Sequence, residues 1–206
     1  ANRFCCLGMA DSIQDVDRIM EIGLKGISIP GHRLLGTSLL NKMPLFKYLE
    51  EKGLILSMCL ADNEVQISEM AEVIEECPNL KVAIGHFGMA NTASFKSQVM
   101  LARKSRHVRI ESGGITWLFH SEFYPYPSAI KCIYDAAEWI GEDKIMWGSD
   151  YPRTITAITY KMAYDFVWKS KELSDSLKDK FLGGNAYVFY RFHDIPELSY
   201  IKNMSE

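Results

Sequence analysis

The sequence has no long apolar run: its hydrophobic stretches stop at strand length, which excludes a membrane-spanning helix. It has no basic stripe and no interleaving of aromatic with basic residues, and its net charge of -3 is scattered, so nucleic acid is excluded as a partner. No glycine-rich phosphate loop follows the first β-prone stretch, which argues against an open doubly wound sheet that binds a nucleotide. The five cysteines are odd in number and show no repeating spacing. They read as free thiols of a reducing compartment, with the cytoplasm as the expected location, rather than as a disulfide framework.

What is present is a long alternation of short apolar runs and amphipathic stretches. At 206 residues, 48% hydrophobic and 24% charged, the chain reads as a single globular domain over residues 1–206. Arg3 to Met9 is β-prone, and Asp11 or Ser12 can cap a helix whose apolar positions Ile13, Val16, Ile19 and Met20 recur at helical spacing. Gly26 to Ile29 predicts a strand stopped by Pro30-Gly31, Pro44 to Lys52 a helix ended by Gly53, and Leu54 to Leu60 a strand buried on both faces. Glu64 to Cys77 then reads as helix, the run from Leu80 into Gly85-His86 as strand, Phe95 to Lys104 as helix and His107 to Glu111 as strand, closed by Gly113-Gly114. After an aromatic loop (Trp117, Phe119, Phe123, Tyr124, Tyr126), Ser128 to Ile140 is helical, Lys144 to Trp147 a strand and Ile155 to Lys169 helical. Ser174 caps a last helix through Leu182, with Gly183-Gly184 at its end. Strand and helix alternate six times with mostly short connections, the pattern of right-handed βαβ units and a parallel sheet, open or closed into a barrel.

Such sheets carry their chemistry at the carboxyl ends of the strands. Pro152 has no amide hydrogen, so the strand before it must stop and leave Asp150 facing a loop, where it can bind a cation, accept a proton or close an Asx turn. Residues two apart share a face of a strand. Val82, Ile84 and His86 are therefore expected on one side of theirs, and Met146, Gly148 and Asp150 on one side of theirs. The same holds for Ser28, Pro30 and His32, for Ile55, Ser57 and Cys59, and for Arg109, Glu111 and Gly113. His32, Cys59, His86, Glu111 and Asp150 thus gather at one rim, as a metal or acid/base site requires. Each also has a structural reading. His86 can be a satisfied turn residue, His32 a solvated loop residue and Cys59 a small buried hydrophobe. Glu111 can pair with Arg109, and the aromatic loop can be a lid over a pocket or a face against a second subunit.

Gly23-Leu-Lys-Gly-Ile-Ser-Ile29 with His32, Pro44 to Leu54, Lys81-Val-Ala-Ile-Gly-His-Phe-Gly88, Trp147-Gly-Ser-Asp-Tyr-Pro152 and Phe181-Leu-Gly-Gly-Asn-Ala186 occur in that order. In these elements the chain resembles the amidohydrolase-related (amidohydrolase 2) branch of the amidohydrolase superfamily. That branch includes aminocarboxymuconate-semialdehyde decarboxylase, benzoate-type decarboxylases and sugar or pyrone lactonases. The resemblance implies a (β/α)8 TIM-type barrel with a divalent metal, usually zinc, at the carboxyl rim. The implied ligands are a His-x-His on the first strand, a His ending the fifth and an Asp ending the eighth, with a further His ending the sixth. Carried over, Asp150 matches the eighth-strand Asp and His86 the sixth-strand His, both expected in catalysis. The fifth-strand position falls on Cys59, so the metal set implied for this chain is Asp150, His86 and Cys59. Such a metal lowers the pKa of a bound water to about 7. Cysteine at that position suits a thiolate ligand and equally a lactonase that works without metal. His32, Arg33 and Arg153 are the expected holders of an anionic substrate, by position.

A full barrel takes ~250 residues and a βαβ unit about 30. The chain is therefore expected to supply about six βα units, with the N-terminal ones and their His-x-His upstream of Ala1. A partner or second copy that supplies the missing strands, or a rearranged and silent relative, would also account for the shortfall, since six units alone expose strand edges near Phe4 and Met146. The expected function is a metal-dependent hydrolase or decarboxylase acting on a small carboxylate, lactone or amide, as a homodimer. The alternatives are a non-catalytic barrel remnant and a metal-independent lactonase.

Overall fold

Five parallel strands form one sheet in sequential order: β1 (Gly26–Ile29), β2 (Ile55–Met58), β3 (Lys81–Ile84), β4 (Val108–Glu111) and β5 (Ile145–Met146). The structure is a computed structural model and describes residues 3–34 and 36–195, the side chain of His32 excepted. α1 (Ile13–Glu21) precedes β1, and α2 (Met43–Glu51), α3 (Glu64–Glu76) and α4 (Phe95–Met100) follow β1, β2 and β3 in turn. α5 (Ile115–Leu118) and α6 (Pro127–Ile140) follow β4; α7 (Tyr160–Trp168), α8 (Asp175–Asp179) and α9 (Asn185–Phe189) follow β5. Helix starts are set locally. Ser12 accepts from the Asp15 amide at 3.2 Å while Asp15 accepts from the Ser12 hydroxyl at 2.7 Å, and Asn63 accepts from Val65 N–H at 2.9 Å. No described helix is long and apolar enough to cross a membrane.

The β-prone stretch Arg3–Met9 forms no regular strand, yet it runs parallel beside β1. Gly8 bridges Ile27, the Lys25 amide donates to Cys6 O at 2.8 Å, and the Ser28 amide donates to Gly8 O at 2.7 Å. With this outer segment six parallel chain passages stand in sequence order, the wall of a partial (β/α)8 barrel.

The two faces of the wall pack into separate clusters. Ile27, Ile29, Leu56, Met58, Val82, Ile84, Val108, Ile110 and Ile145 belong to the large cluster shared with the helices. Ile55, Ala83 and Met146 face inward, where Phe189 of α9 packs on them with Cys5, Leu7, Ala186 and Tyr190 around it. Val82 and Ile84 therefore face the helices, and Ala83 and Gly85 take the interior side.

β5 is shorter than the expected Lys144 to Trp147. The Trp147 amide donates to Phe181 O at 2.8 Å and the Gly148 amide to Ser112 Oγ at 3.2 Å, so neither extends the ladder. The helical path after Ser174 runs on through Gly183-Gly184 instead of ending there. Its anchor is Asn185, whose Nδ2 donates to Glu142 O and to Ile145 O, both at 2.7 Å.

Candidate active site

Asp150 stands four residues beyond the last residue of β5, on the carboxyl side of the wall. It has φ +53, the left-handed region that residues with a Cβ seldom occupy. The turn is held by the Thr154 amide donating to Asp150 O at 3.2 Å and by the Thr154 hydroxyl donating to Ser149 O. Its Oδ2 lies 3.1 Å from the point where a Cβ on Gly114 would sit, and His86 Nδ1 lies 3.3 Å from the same point. The two sequence-predicted catalytic residues thus meet over Gly114, which has φ +76 and no side chain to part them.

His86 arrives there by a different route from the expected alternation along β3. His86 and Phe87 have φ +49 and +48, and this left-handed turn swings the imidazole onto the rim of the next strand. Fully buried Phe87 holds the turn, packing on Phe95 and Phe181 with ring centroids at 5.9 and 6.2 Å. His86 Nδ1 is 2.8 Å from Gly113 O. A carbonyl oxygen only accepts, so Nδ1 carries the hydrogen and Nε2 is the ring nitrogen left for another partner.

Glu111 sits lower in the same bowl. Its Oε1 accepts from the Gly113 amide at 2.8 Å, and a Cβ on Gly148 would fall 1.4 Å from that oxygen. Burial, with the Asp150 carboxylate adding to it, pushes the Glu111 carboxyl up to about 7 against the opposing pull of the Gly113 hydrogen bond. Cys59 Sγ and Glu111 Oε2 lie 3.0 and 3.7 Å from the place of a Cβ on Gly85, so the thiol faces the carboxyl across that glycine. Burial, then Glu111 and Asp150, push the Cys59 thiol up to about 12, which keeps it protonated at neutral pH. The alternative pairing of Glu111 with Arg109 does not form. Arg109 reaches toward the amino end, where its Nη1 donates to Arg106 O at 2.7 Å and Val108 O at 3.0 Å. Glu111 was legible as a rim residue, but its environment was not: the glycines at 85, 113 and 148 that make room for it each look like a turn signal in the sequence.

The expected substrate holders are dispersed. Arg153 is exposed and lies over the Trp117 ring at 5.0 Å, on the turn that follows Asp150. Arg33 is tied to Asp11 at 2.8 Å on the surface. The side chain of His32 lies outside the described residues. For a divalent cation, the described residues by themselves do not fit. No three His, Cys, Asp or Glu side chains among them gather as ligands.

The family model described as Amidohydrolase matches residues 4–192. An amidohydrolase from Burkholderia multivorans with bound HEPES superposes with a TM-score of 0.71 at 17% identity, covering 91% of this chain and 73% of that one. The same enzyme with bound zinc gives 0.69 at 16% identity, over 93% and 75% of the two chains. A probable 2-pyrone-4,6-dicarboxylic acid hydrolase from Acinetobacter baumannii with citric acid bound gives 0.70 at 18% identity, over 90% and 72%. At these identities the likeness is one of fold. No curated protein matches the chain.

Proposed function

Because the chain belongs to the amidohydrolase family, and so to a family of hydrolase-type enzymes, we propose that it cleaves a small lactone or amide with water, using Asp150 and His86 at the carboxyl rim. The observation that carries this reading is the approach of Asp150 Oδ2 and His86 Nδ1 to one point above Gly114. Asp150 takes a proton from the attacking water as its oxygen adds to the carbonyl carbon. The carbon-oxygen or carbon-nitrogen bond then breaks, and the proton passes to the leaving atom, which regenerates the carboxylate. His86, its ring fixed by the bond to Gly113 O, presents Nε2 to the substrate and relays the proton. Arg153, on the turn after Asp150, is the cation for a substrate carboxylate. Glu111 touches no reacting atom in this scheme; it sets the charge beneath Asp150.

The reading is tested with a panel of small carboxylate-bearing lactones and amides turned over in oxygen-18 water. One labelled oxygen in the new carboxylate of a lactone or amide is the expected result. Release of carbon dioxide from the substrate without label in the organic product would replace hydrolysis with decarboxylation.

A further inference from the structure

The amino-terminal end of the barrel, away from the carboxyl rim, holds a cleft of about 860 Å³, a size typical of small-molecule sites. Lys25, Lys81 and Arg191 line it, and none of the described lining residues is acidic. A fourth lining cation, Lys52, is paired with Glu51 at 2.8 Å, as Lys47 is with Glu76 at 2.9 Å elsewhere on the surface. Among the described residues Lys25, Lys81 and Arg191 have no carboxylate within ion-pair reach, and Lys81 donates instead to the backbone oxygen of Phe189 at 2.8 Å. Phe4, Tyr190 and Phe192 supply the aromatic part of the lining, with Phe4 77% exposed.

More positive charge stands behind the cleft. Lys81 and Arg109 lie over the same Phe189 ring, at 5.5 and 5.8 Å from its centroid. Arg109 Nε is buried without a hydrogen-bond partner among the described residues. Burial first, then Arg191 and Arg109, hold Lys81 below the usual lysine range, as cations crowded without a counter-ion must do. The interior carboxylates cannot neutralise them, because Glu111 and Asp150 sit at the opposite end of the strands.

We propose that this cleft binds a small organic anion, a phosphate or carboxylate carried on an aromatic or apolar body. Lys25, Lys81 and Arg191 meet the charge, Arg191 through a fork suited to either anion. Phe4, Tyr190 and Phe192 meet the body. The site is separate from the catalytic rim and does not depend on what the rim catalyses.

Calorimetric titration with phenyl phosphate tests it on three proteins: the unaltered chain, the Lys25→Gln/Arg191→Gln double variant and Asp150→Asn. Phenyl phosphate is expected to bind the unaltered chain and Asp150→Asn alike, and at least tenfold more tightly than phenol or inorganic phosphate. The double variant is expected to bind at least tenfold more weakly with an unchanged unfolding midpoint, since Lys25 and Arg191 are both exposed. Phe4→Ala provides a second variant, expected to weaken phenyl phosphate while leaving inorganic phosphate unaffected. The proposal is overturned if the unaltered chain does not bind phenyl phosphate at millimolar concentration, if phenol binds as well, if neither variant weakens binding, or if Asp150→Asn abolishes it.

Discussion

Gly148 carries no side chain because the Glu111 carboxyl fills the place of one, 1.4 Å from where its Cβ would be. Gly148→Ala must push that carboxyl aside, so it is expected to cost about 1 kcal/mol in urea unfolding and to lower turnover through the displaced neighbour of Asp150. A stability within 0.5 kcal/mol of the unaltered chain, the range of neutral surface changes, would show that Glu111 has room to move. Glu111 also makes stability depend on pH. Folding raises its pKa from 4.5 to about 7, so the folded state holds the proton more tightly than the unfolded chain. That contribution is whole below pH 4.5, drains away as pH rises to 7, and leaves a cost of about 3 kcal/mol above it relative to acid pH. Glu111→Gln keeps an oxygen for the Gly113 amide and cannot ionise. Its urea midpoint is expected to exceed that of the unaltered chain at pH 8.5 and to match it at pH 4; parallel pH profiles for the two proteins would contradict the assignment.

Among the elements, β5 depends most on its surroundings. It has two residues in the ladder, and its outward edge is closed by the stretch leading into α9 rather than by another described strand. Buried Asn185 bonds two carbonyls at once. Asn185→Ala leaves both unpaired in a buried place and is expected to cost about 2 to 3 kcal/mol, read from the thermal or urea midpoint; a change under 0.5 kcal/mol, within surface-substitution scatter, would mean that water replaces the amide. The Phe181-Leu-Gly-Gly-Asn-Ala186 string was visible in the sequence, but its glycine pair reads locally as a helix end, and only the tertiary anchor at Asn185 explains why the helix goes on. Parallel sense and most helix starts were legible because they follow from strand–helix alternation and capping, whereas the sequential strand order of a barrel came with the family motifs. The facing of β3 was not legible. An apolar run buried on both sides carries no period-two signal to say which residues look inward, and His86 reaches the rim by a left-handed turn that a histidine does not announce.

At the scale of the whole molecule, Glu111 and Asp150, which form no salt bridge among the described residues, stand at the carboxyl rim, while Lys81, Arg109 and Arg191 gather toward the amino end. A net charge of -3 conceals this, because composition adds what the fold separates. That Asp150 and His86 stand at one rim was expected from strand ends and family motifs together, while the small residue between them, Gly114, became meaningful only once the strands stood side by side. The most direct measurement is turnover, on one lactone or amide accepted by the unaltered chain, of Asp150→Ala and of His86→Gln. His86→Gln keeps a donor for Gly113 O but has no second ring nitrogen to present to the substrate. With unfolding midpoints near that of the unaltered chain, Asp150→Ala is expected to lose all measurable turnover and His86→Gln at least a hundredfold, within the range that acid–base groups contribute. Undiminished turnover in Asp150→Ala would contradict the assignment of the chemistry to this rim.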